Sequence, residues 1–329
     1  MSETNPLQAL REGAFFIDGD VHDVLSATGK DRVSFLHRIT SGKLAGVASG
    51  QGSRTLLLDV RGHVLASLIA FLREGDVRLV TAGGQGAAVA TELARFAIMD
   101  DFQIATETEL ATLAVLGPQA AAALSEIGVA VPSGFLESPL FSHQDVAGDR
   151  FGPLWIAHGR RCGVDGICVA GSRTVLPTLA ESLLAGGTSR LALESAEAAR
   201  IAAREPAPGK EITPERFPVE VGLGAAIDHS KGCYVGQETI VRMRDRGTIR
   251  KRLVLLTFTG GEIPAASDPI TADGQPAAGQ VTSAGGVPGE APLALAVLAS
   301  AVPVGAAVQV QHGGVTLVAT VAAETPPWG

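Results

Sequence analysis

The sequence predicts an α+β body followed by a small all-β domain. Three observations carry that reading. Up to about residue 205, short apolar runs of strand type alternate with stretches whose apolar residues recur at helical spacing. The segment "PAPGKEITPERFPVE" then places prolines at 206, 208, 214 and 218, the composition of a loop or domain crossing. From about residue 253 the apolar runs are short and split by Gly, Pro and Asp, as small strands and tight turns are.

Taken in order, "GAFFID" (13–18) reads as a short strand and "GKDRVSFLHRIT" (29–40) as a helix with Val33, Leu36 and Ile39 on one face. "SRTLLLDV", "HVLASLIAFL" and "VRLVTAG" read as consecutive strands whose separators, "RG" and "REGD", suit hairpins. A helix is expected over 86–98, a strand at "LATLAVLG", and a helix at "PQAAAALSEIG" with Pro at its start and Gly at its end. "GPLWIAH" and "GICVAG" look like strands, and "RTVLPTLAESLLAGG" and residues 193–205 like helices. "QETIVRMRDRG" is a short helix stopped by Gly247, "TIRKRLVLLTF" a strand with a basic start, and "AAVQVQ-HGG-VTLVATV" a β-hairpin.

Composition narrows the function classes. Apolar residues make up 46% of 329, enough for a sizeable core, but aromatics are only 4%, so that core must be aliphatic. A net charge of −8 argues against a general nucleic-acid coat. The start "MSETNPLQALREGAFF" lacks the basic opening and apolar run of a signal peptide. The apolar stretch from Pro292 is broken by Pro303 and Gly305, so strands are expected there rather than a membrane span. Three cysteines do not make a disulfide framework. A cytoplasmic protein with reduced thiols is expected.

The most informative stretch is "KGCYVGQE", residues 231–238. It gathers the single tyrosine, Tyr234, one of the three cysteines, Cys233, a lysine two positions earlier, Lys231, and the pair Gln237–Glu238. Gly232 permits unusual backbone angles or the close approach of a ligand. Cysteines beside cations are the ones that react as thiolates or bind metal, whereas a lone cysteine is commonly a small buried hydrophobe. Both readings of Cys233 stand on these residues alone. From Lys231 to Arg252 the window is net +5, leaving −13 on the rest of the chain. It reads either as a solvated charged face or as an anion site, with Glu238–Arg242 an i,i+4 pair in the favourable order.

Other candidates fall away. Cys162 and Cys168 in "RCGVDGIC" are too far apart for a metal pair and read as structural. The seven histidines show no ligand spacing; His229 sits close enough in sequence to share a site with Lys231, or is simply a turn residue. "GGQGAA" lacks the third glycine and the setting of a dinucleotide loop.

The stretch "IDHSKGCYVGQETIVRMRDRGTIRKRL" (227–253) resembles the signature of the YgfZ-type folate-binding proteins, relatives of the T-protein, the aminomethyltransferase of the glycine cleavage system. "SFLHRITSGKL" (34–44), "LLLDVRGHVLASLIAFL" (56–72), "LGPQAAAAL" (116–124), "ARIAAREPAPGKEI" (199–212) and "AGQVTSAG" (278–285) are similar to further family segments. The resemblance implies a three-domain arrangement around a central channel with a small C-terminal β-barrel. On this chain the domains fall at about residues 1–50 with 115–245, at 51–114, and at 246–329. It implies tetrahydrofolate or a one-carbon derivative as cofactor. It also implies a role beside the iron–sulfur assembly machinery or its client enzymes, through which tRNA modification is affected.

Departures from the family pattern accompany the match. The resemblance places an aspartate pair of true aminomethyltransferases at Ala66 and Ser67, and the pterin-holding glutamate of their "RTGYTGE" motif at Ile167. Their early "TND" becomes Thr40, Ser41 and Gly42, and a glutamate and a glycine before the signature become Ala202 and Arg204. Handling a protonated amine without those carboxylates is difficult, so glycine-cleavage chemistry is not expected. The reading is a folate-binding accessory protein for iron–sulfur cluster assembly or repair. Cys233 is its reactive residue. Lys231 and Arg242 supply positive potential, and Tyr234, Gln237 and Glu238 line or brace the pocket. The alternatives are a tetrahydrofolate-dependent methyl- or aminomethyltransferase, and an RNA-binding module working through the basic residues 242–252. The acidic remainder makes nucleic acid the least expected direct partner.

Overall fold

The computed structural model describes residues 10–17, 22–247, 249–286 and 289–326. Much of the N-terminal stretch read for targeting signals, Asp18 of the first expected strand and Thr248 of the basic window lie outside the described residues. The chain divides into two compact units. Met1–Leu57, Ala66–Ala192 and Asp228–Val235 form the first; Leu58–Leu65, Leu193–Ile227 and Gly236–Gly329 form the second.

The first unit carries β1 (Phe15–Ile17), β2 (His22–Thr28), α1 (Arg32–Ile39), β3 (Gly52–Leu58), β4 (Val64–Leu72), β5 (Val77–Ala82), α2 (Gly86–Phe96) and β6 (Gln103–Thr106). It continues with β7 (Leu110–Leu116), α3 (Ala120–Glu126), β8 (His143–Gly148), β9 (Gly152–Arg161), β10 (Val164–Ser172), α4 (Leu176–Ala185) and β11 (Ser189–Arg190). The turn between β3 and β4 groups with the second unit. The strands make a five-stranded sheet, β3-β4-β5-β2-β6, and a six-stranded sheet, β11-β1-β7-β10-β9-β8.

Val24, Phe71 and Val80 of the five-stranded sheet share a core with Trp155, Ala157 and Ala170 of the six-stranded one. Phe71 meets Trp155 edge-on, 4.8 Å between ring centres. Trp155 Nε1 donates to His143 Nδ1 (3.2 Å), and His143 Nε2 donates to the Leu72 carbonyl (3.1 Å), so the buried polar atoms are partnered. A larger aliphatic core of Leu113, Val115, Ile156, Ile167 and Val169 packs with Leu124, Leu179 and Leu183 of α3 and α4.

Most expected elements form, with shifted ends. α1 begins at Arg32 rather than 29 because Gly29 sits at φ +99°, where a Cβ would lie 2.1 Å from the Asp101 carbonyl oxygen. The mixed stretch His22–Thr28 offers no clean alternation to read, yet as β2 it lies between β5 and β6.

The second unit carries α5 (Leu193–Ala202), α6 (Gln237–Arg246), β12 (Lys251–Phe258), β13 (Pro269–Ala272), β14 (Gln275–Gly285), β15 (Leu293–Ala299), β16 (Ala307–His312) and β17 (Val315–Glu324). The six strands close as a barrel in the order β12-β15-β14-β13-β16-β17, which leaves no sheet edge unpaired. Val254, Leu256, Ile270, Val281, Val310 and Val321 fill it. The expected hairpin is β16–β17, turning on Gly313 and Gly314, both at positive φ as a tight two-residue turn requires. The apolar stretch from Pro292 forms strands, and among the described residues no helix is long and apolar enough to cross a membrane.

α5 ends at Ala202, short of the expected 205, as the chain turns through Arg204 at φ +57°. A polar network fastens α5 to the barrel. Arg200 donates to Glu197, to Glu211 (3.1 Å) and to the Ser283 hydroxyl (2.7 Å). Glu211, fully buried, also accepts from the Thr282 and Ser283 hydroxyls and the Ala207 amide. Every oxygen is satisfied, the condition under which a buried charge is tolerated.

Burial alone would raise the Glu197 carboxyl, but hydrogen bonds from Arg200 and Lys210 outweigh it and hold it at about 2 instead of 4.5. A depressed carboxyl contributes stability above its unfolded value and loses it as pH falls towards the folded one. Thermal melts should show the wild type losing stability from about pH 4.5 down to 2, with Glu197→Gln losing less over the same window. Parallel slopes for the two proteins would remove Glu197 from the acid response.

Candidate functional site

The signature loop is built on the end of α1. Thr40, Ser41 and Gly42 follow that helix and are buried. The Ser41 amide donates to the Leu56 carbonyl, its hydroxyl accepts from the Leu56 amide (3.0 Å), and the Gly42 amide donates to the Thr55 hydroxyl (2.7 Å). Gly42 has no room for a side chain, since a Cβ would lie 2.5 Å from the Arg54 carbonyl oxygen. The Asp228 amide donates to the Ser41 carbonyl (3.0 Å) and brings the signature loop alongside. Asp228 then organises the loop's turn: its Oδ1 accepts from the Ser230 hydroxyl (2.7 Å) and from the amides of Ser230 (2.7 Å) and Lys231 (3.0 Å). The Ser230 hydroxyl, then its amide, hold the Asp228 carboxyl below the usual carboxylate range.

Lys231 reaches back to α1. Its Nζ donates to the carbonyls of His37, Thr40 and Gly42. These lie at the negative end of the helix, where a cation is favoured. Burial pushes the ammonium from 10.5 down to about 8, with Asp228 pulling the other way. The same ammonium lies 5.4 Å from the centre of the Tyr234 ring, which is buried. His37 Nδ1 accepts from the amides of Leu44 (3.1 Å) and Ala45 (3.4 Å), as a neutral imidazole does. Burial, then the Lys231 charge, hold that imidazole below its ordinary value. Between these anchors Gly232 and Cys233 are exposed, and nothing lies within 4 Å of where a Cβ on Gly232 would be. The loop therefore offers a thiol from a fixed backbone.

The six expected site residues fall on both sides of the division between units. Lys231, Cys233 and Tyr234 belong to the first; Gln237, Glu238 and Arg242 belong to the second. In the second unit Gly236, at φ +80°, turns the chain into α6, which starts at half-buried Gln237. A Cβ on Gly236 would lie 2.5 Å from the Asp59 carbonyl oxygen, so only glycine fits against the β3–β4 turn. Glu238 pairs with Arg242, both exposed. The turn itself holds a dyad that sequence reasoning missed. Asp59 Oδ2 accepts from His63 Nδ1 (3.2 Å), and the imidazole packs on Phe217 at 4.5 Å. Burial would raise the Asp59 carboxyl, but hydrogen bonds from the amide and imidazole of His63 and the amide of Arg61 bring it below its usual value. The spacing D-x-x-G-H, an Asx turn closing on a histidine, was the available signal.

The departures noted above are structural facts as well. Ala66 is buried on β4, the Ser67 carbonyl accepts from the Thr81 hydroxyl (3.2 Å), and Ile167 is fully buried in the aliphatic core. None of the three positions offers a carboxylate. Cys162 is buried at the β9–β10 turn and Cys168 half-buried. Among the described residues no group of three or more His, Cys, Asp or Glu is placed to hold a metal ion. An open cavity of about 410 Å³ in the first unit, lined by Glu12, Phe15, Gln119, Glu126 and Gly187, includes none of the expected site residues.

Comparison with known proteins gives these features a context. A family model described as "GCVT N-terminal domain" matches residues 4–231, and one described as "CAF17, C-terminal beta-barrel domain" matches residues 250–328. An Arabidopsis thaliana protein with a provisional name as a chloroplastic transferase is 25% identical over 86% of this chain; the match spans 64% of that protein, under two thirds of its length. The aminomethyltransferase of Thermosynechococcus vestitus is 27% identical over 84% of this chain and 74% of its own. The tRNA-modifying protein YgfZ of Klebsiella pneumoniae is 26% identical over 74% and 71%. Among solved structures, the glycine cleavage system aminomethyltransferase T from Bartonella henselae superposes with a TM-score of 0.85 at 24% identity, covering 98% of this chain and 88% of that one. That likeness establishes the fold: the expected α+β, T-protein-like architecture with a C-terminal barrel.

Replacing Lys231 by Met keeps the stem and removes the donor from three carbonyls, which should cost about 1–3 kcal/mol. A lysine held at about 8 gains stability as pH rises towards its unfolded 10.5, because only the unfolded chain still binds the proton. Denaturant titrations should therefore show the advantage of wild type over Lys231→Met growing between about pH 8 and 10.5. The exposure of Cys233 predicts a single fast thiol towards an aromatic disulfide reagent in the native protein, absent in Cys233→Ala. A fast phase surviving in that variant would assign it to Cys168 or Cys162 instead.

Proposed function

Because this chain belongs to the family described as the GCVT N-terminal domain, we propose that it binds a reduced folate and acts as a tetrahydrofolate-dependent one-carbon transferase. The observation that carries this is the family match itself. It runs from residue 4 to Lys231, the lysine that fastens the signature loop to the end of α1. Relatives named aminomethyltransferase, matching 84% of the chain, support a transferase over an accessory role. The residues suit the two ends of a folate unequally. Exposed cations on α6 and at the start of β12 suit carboxylates, by charge-assisted hydrogen bonds. Ile167 and Ala66 give a pterin or a protonated amine no charged partner, so the transferred group is methyl or methylene rather than aminomethyl.

A second reading, support of iron–sulfur cluster assembly or repair with consequences for tRNA modification, is favoured by a different observation. Cys233 is exposed on an anchored loop, and the relative named tRNA-modifying protein YgfZ matches 74% of the chain. In this reading the partners are the assembly machinery or its client enzymes, and Cys233 makes the transient contact.

Both readings require that tetrahydrofolate binds, which equilibrium titration tests directly. Turnover with methyl- and methylene-tetrahydrofolate then separates them. The transferase reading expects catalytic turnover by wild type; folate binding without turnover would remove it. The cluster reading expects cells lacking the protein to lose activity of a cluster-containing dehydratase, restored by wild type but not by Cys233→Ala at equal abundance.

A further inference from the structure

Asp59 and His63 close the β3–β4 turn, and that turn packs against the start of α6. A Cβ on Gly62 would lie 3.1 Å from the Gly236 carbonyl oxygen and 3.3 Å from Thr239 Cβ. The dyad therefore adjoins Gln237, an expected site residue, within the second unit. Its carboxylate is fixed first. Asp59 Oδ1 accepts from the amides of Arg61 (2.9 Å) and His63 (2.8 Å), which leaves Oδ2 for the imidazole. The ring is then held by that bond and by Phe217, and the Val64 amide ties the next residue to the Arg216 carbonyl (3.1 Å). A carboxylate accepting from Nδ1 sets the tautomer, so in the neutral ring Nε2 carries the lone pair. Nε2 has no hydrogen-bond partner among the described residues, and the side chain is 20% exposed. Other histidines are engaged differently. His143 uses both ring nitrogens inside the core, and His312 has Asp268 and Glu262 at its two. A basic nitrogen oriented by a carboxylate and open to solvent is the arrangement of a general base.

We propose that His63 is the base that takes the proton from a thiol acceptor during methyl transfer, with Asp59 as its positioning residue, an inference that rests on the transferase reading above. Moving a methyl group from a folate nitrogen to a thiol displaces one proton. His63 Nε2 takes that proton from the S–H. The sulfur's electron pair forms the new S–C bond, and the C–N bond breaks with its pair left on nitrogen. The proton passes from the imidazolium to that nitrogen, so atoms and charge balance with no oxidant or reductant. The acceptor class follows from acidity. Proton transfer is most effective between groups of similar strength, and thiols, at about 8.5, lie within reach of imidazoles, at about 6.5. An alcohol gives up its proton far less readily. The elements packed around the ring carry further charges: Arg61 in the turn, Glu215, Arg216 and Glu220 around Phe217, and the Glu238–Arg242 pair on α6. Among the described residues Asp59 alone is paired with the imidazole.

The test uses the full chain with methyl-tetrahydrofolate as donor and two acceptors, 2-mercaptoethanol and thiophenol. The first keeps its proton at neutral pH, and the second is largely ionised there, so it needs no base. The variants are His63→Gln and Asp59→Asn, each checked for wild-type circular dichroism and for unchanged binding of the donor. With 2-mercaptoethanol, His63→Gln should lower kcat/KM roughly 100-fold or more, and Asp59→Asn roughly 10- to 100-fold. With thiophenol both variants should match wild type, which damage to the fold would not allow. The rising acid limb of the wild-type pH profile should be lost in His63→Gln. A readout apart from turnover is 15N NMR of histidine-labelled protein, with the His63 signals identified by their absence in His63→Gln. Nδ1 should carry the proton in the neutral ring, and Asp59→Asn should abolish that preference; a proton on Nε2 overturns the inference. Equal losses with both thiols also overturn it, because His63 is then structural. Turnover of 2-mercaptoethanol unchanged in His63→Gln overturns it and leaves the transferase reading intact, as does methyl transfer to an amine or alcohol but to neither thiol. No transfer to any acceptor overturns both.

Discussion

The ammonium of Lys231, set on the carbonyls of His37, Thr40 and Gly42, is the contact on which the signature loop depends. A helix leaves its last carbonyls without intrahelical partners, and here a side chain from nearly two hundred residues further along the sequence satisfies them. One charge thereby closes the end of α1, fixes the loop and supports the Tyr234 ring. The exposed Gly232–Cys233 pair follows from that arrangement, because both flanking residues face inwards. The loop's cation works as a structural bolt, and its reactive group is left outside.

The second unit is held by a comparable device of opposite sign. Glu211 is a fully buried carboxylate, and its tolerance depends on Arg200 and two barrel hydroxyls converging on it. Desolvating such a group is expensive unless all its lone pairs are met. The barrel then needs no free edge and few aromatics, since small aliphatic side chains fill a closed six-stranded sheet.

The sequence made much of this readable, and the limits have physical causes. "KGCYVGQE" stood out because scarce residue types met in a chain dominated by aliphatic ones. Strands such as Val64–Leu72 and the Gly313–Gly314 hairpin were legible because their signals are local. Glu238–Arg242 was legible as an i,i+4 pair for the same reason. The partners of Lys231 were not, because carbonyls 189 to 194 residues away leave no trace in a side-chain pattern. The sequence suggested a cation waiting for an anion, and the fold gives that cation three backbone oxygens. β2 escaped because its buried residues, Val24, Leu25 and Ala27, include two neighbours and so break the alternation by which a strand is read. Arg204 shows the reverse case, a position where the resemblance led one to expect glycine and where the backbone does adopt φ +57°. Its guanidinium donates to the Glu324 carbonyl (2.9 Å), a contact glycine lacks.

The shortage of aromatic residues has an optical consequence. Of the two tryptophans, Trp155 alone falls among the described residues, and its indole is fixed between the two sheets of the first unit, hydrogen-bonded to His143 and edge-on to Phe71. Burial holds the His143 imidazole below its ordinary value, which favours the neutral form that accepts the indole N–H. In a variant in which the second tryptophan, Trp328, is replaced by Phe, the emission of Trp155 therefore reports on the seam between those sheets. The protein carries an intrinsic fluorophore at one known joint, and a spectral shift there reads as that joint opening.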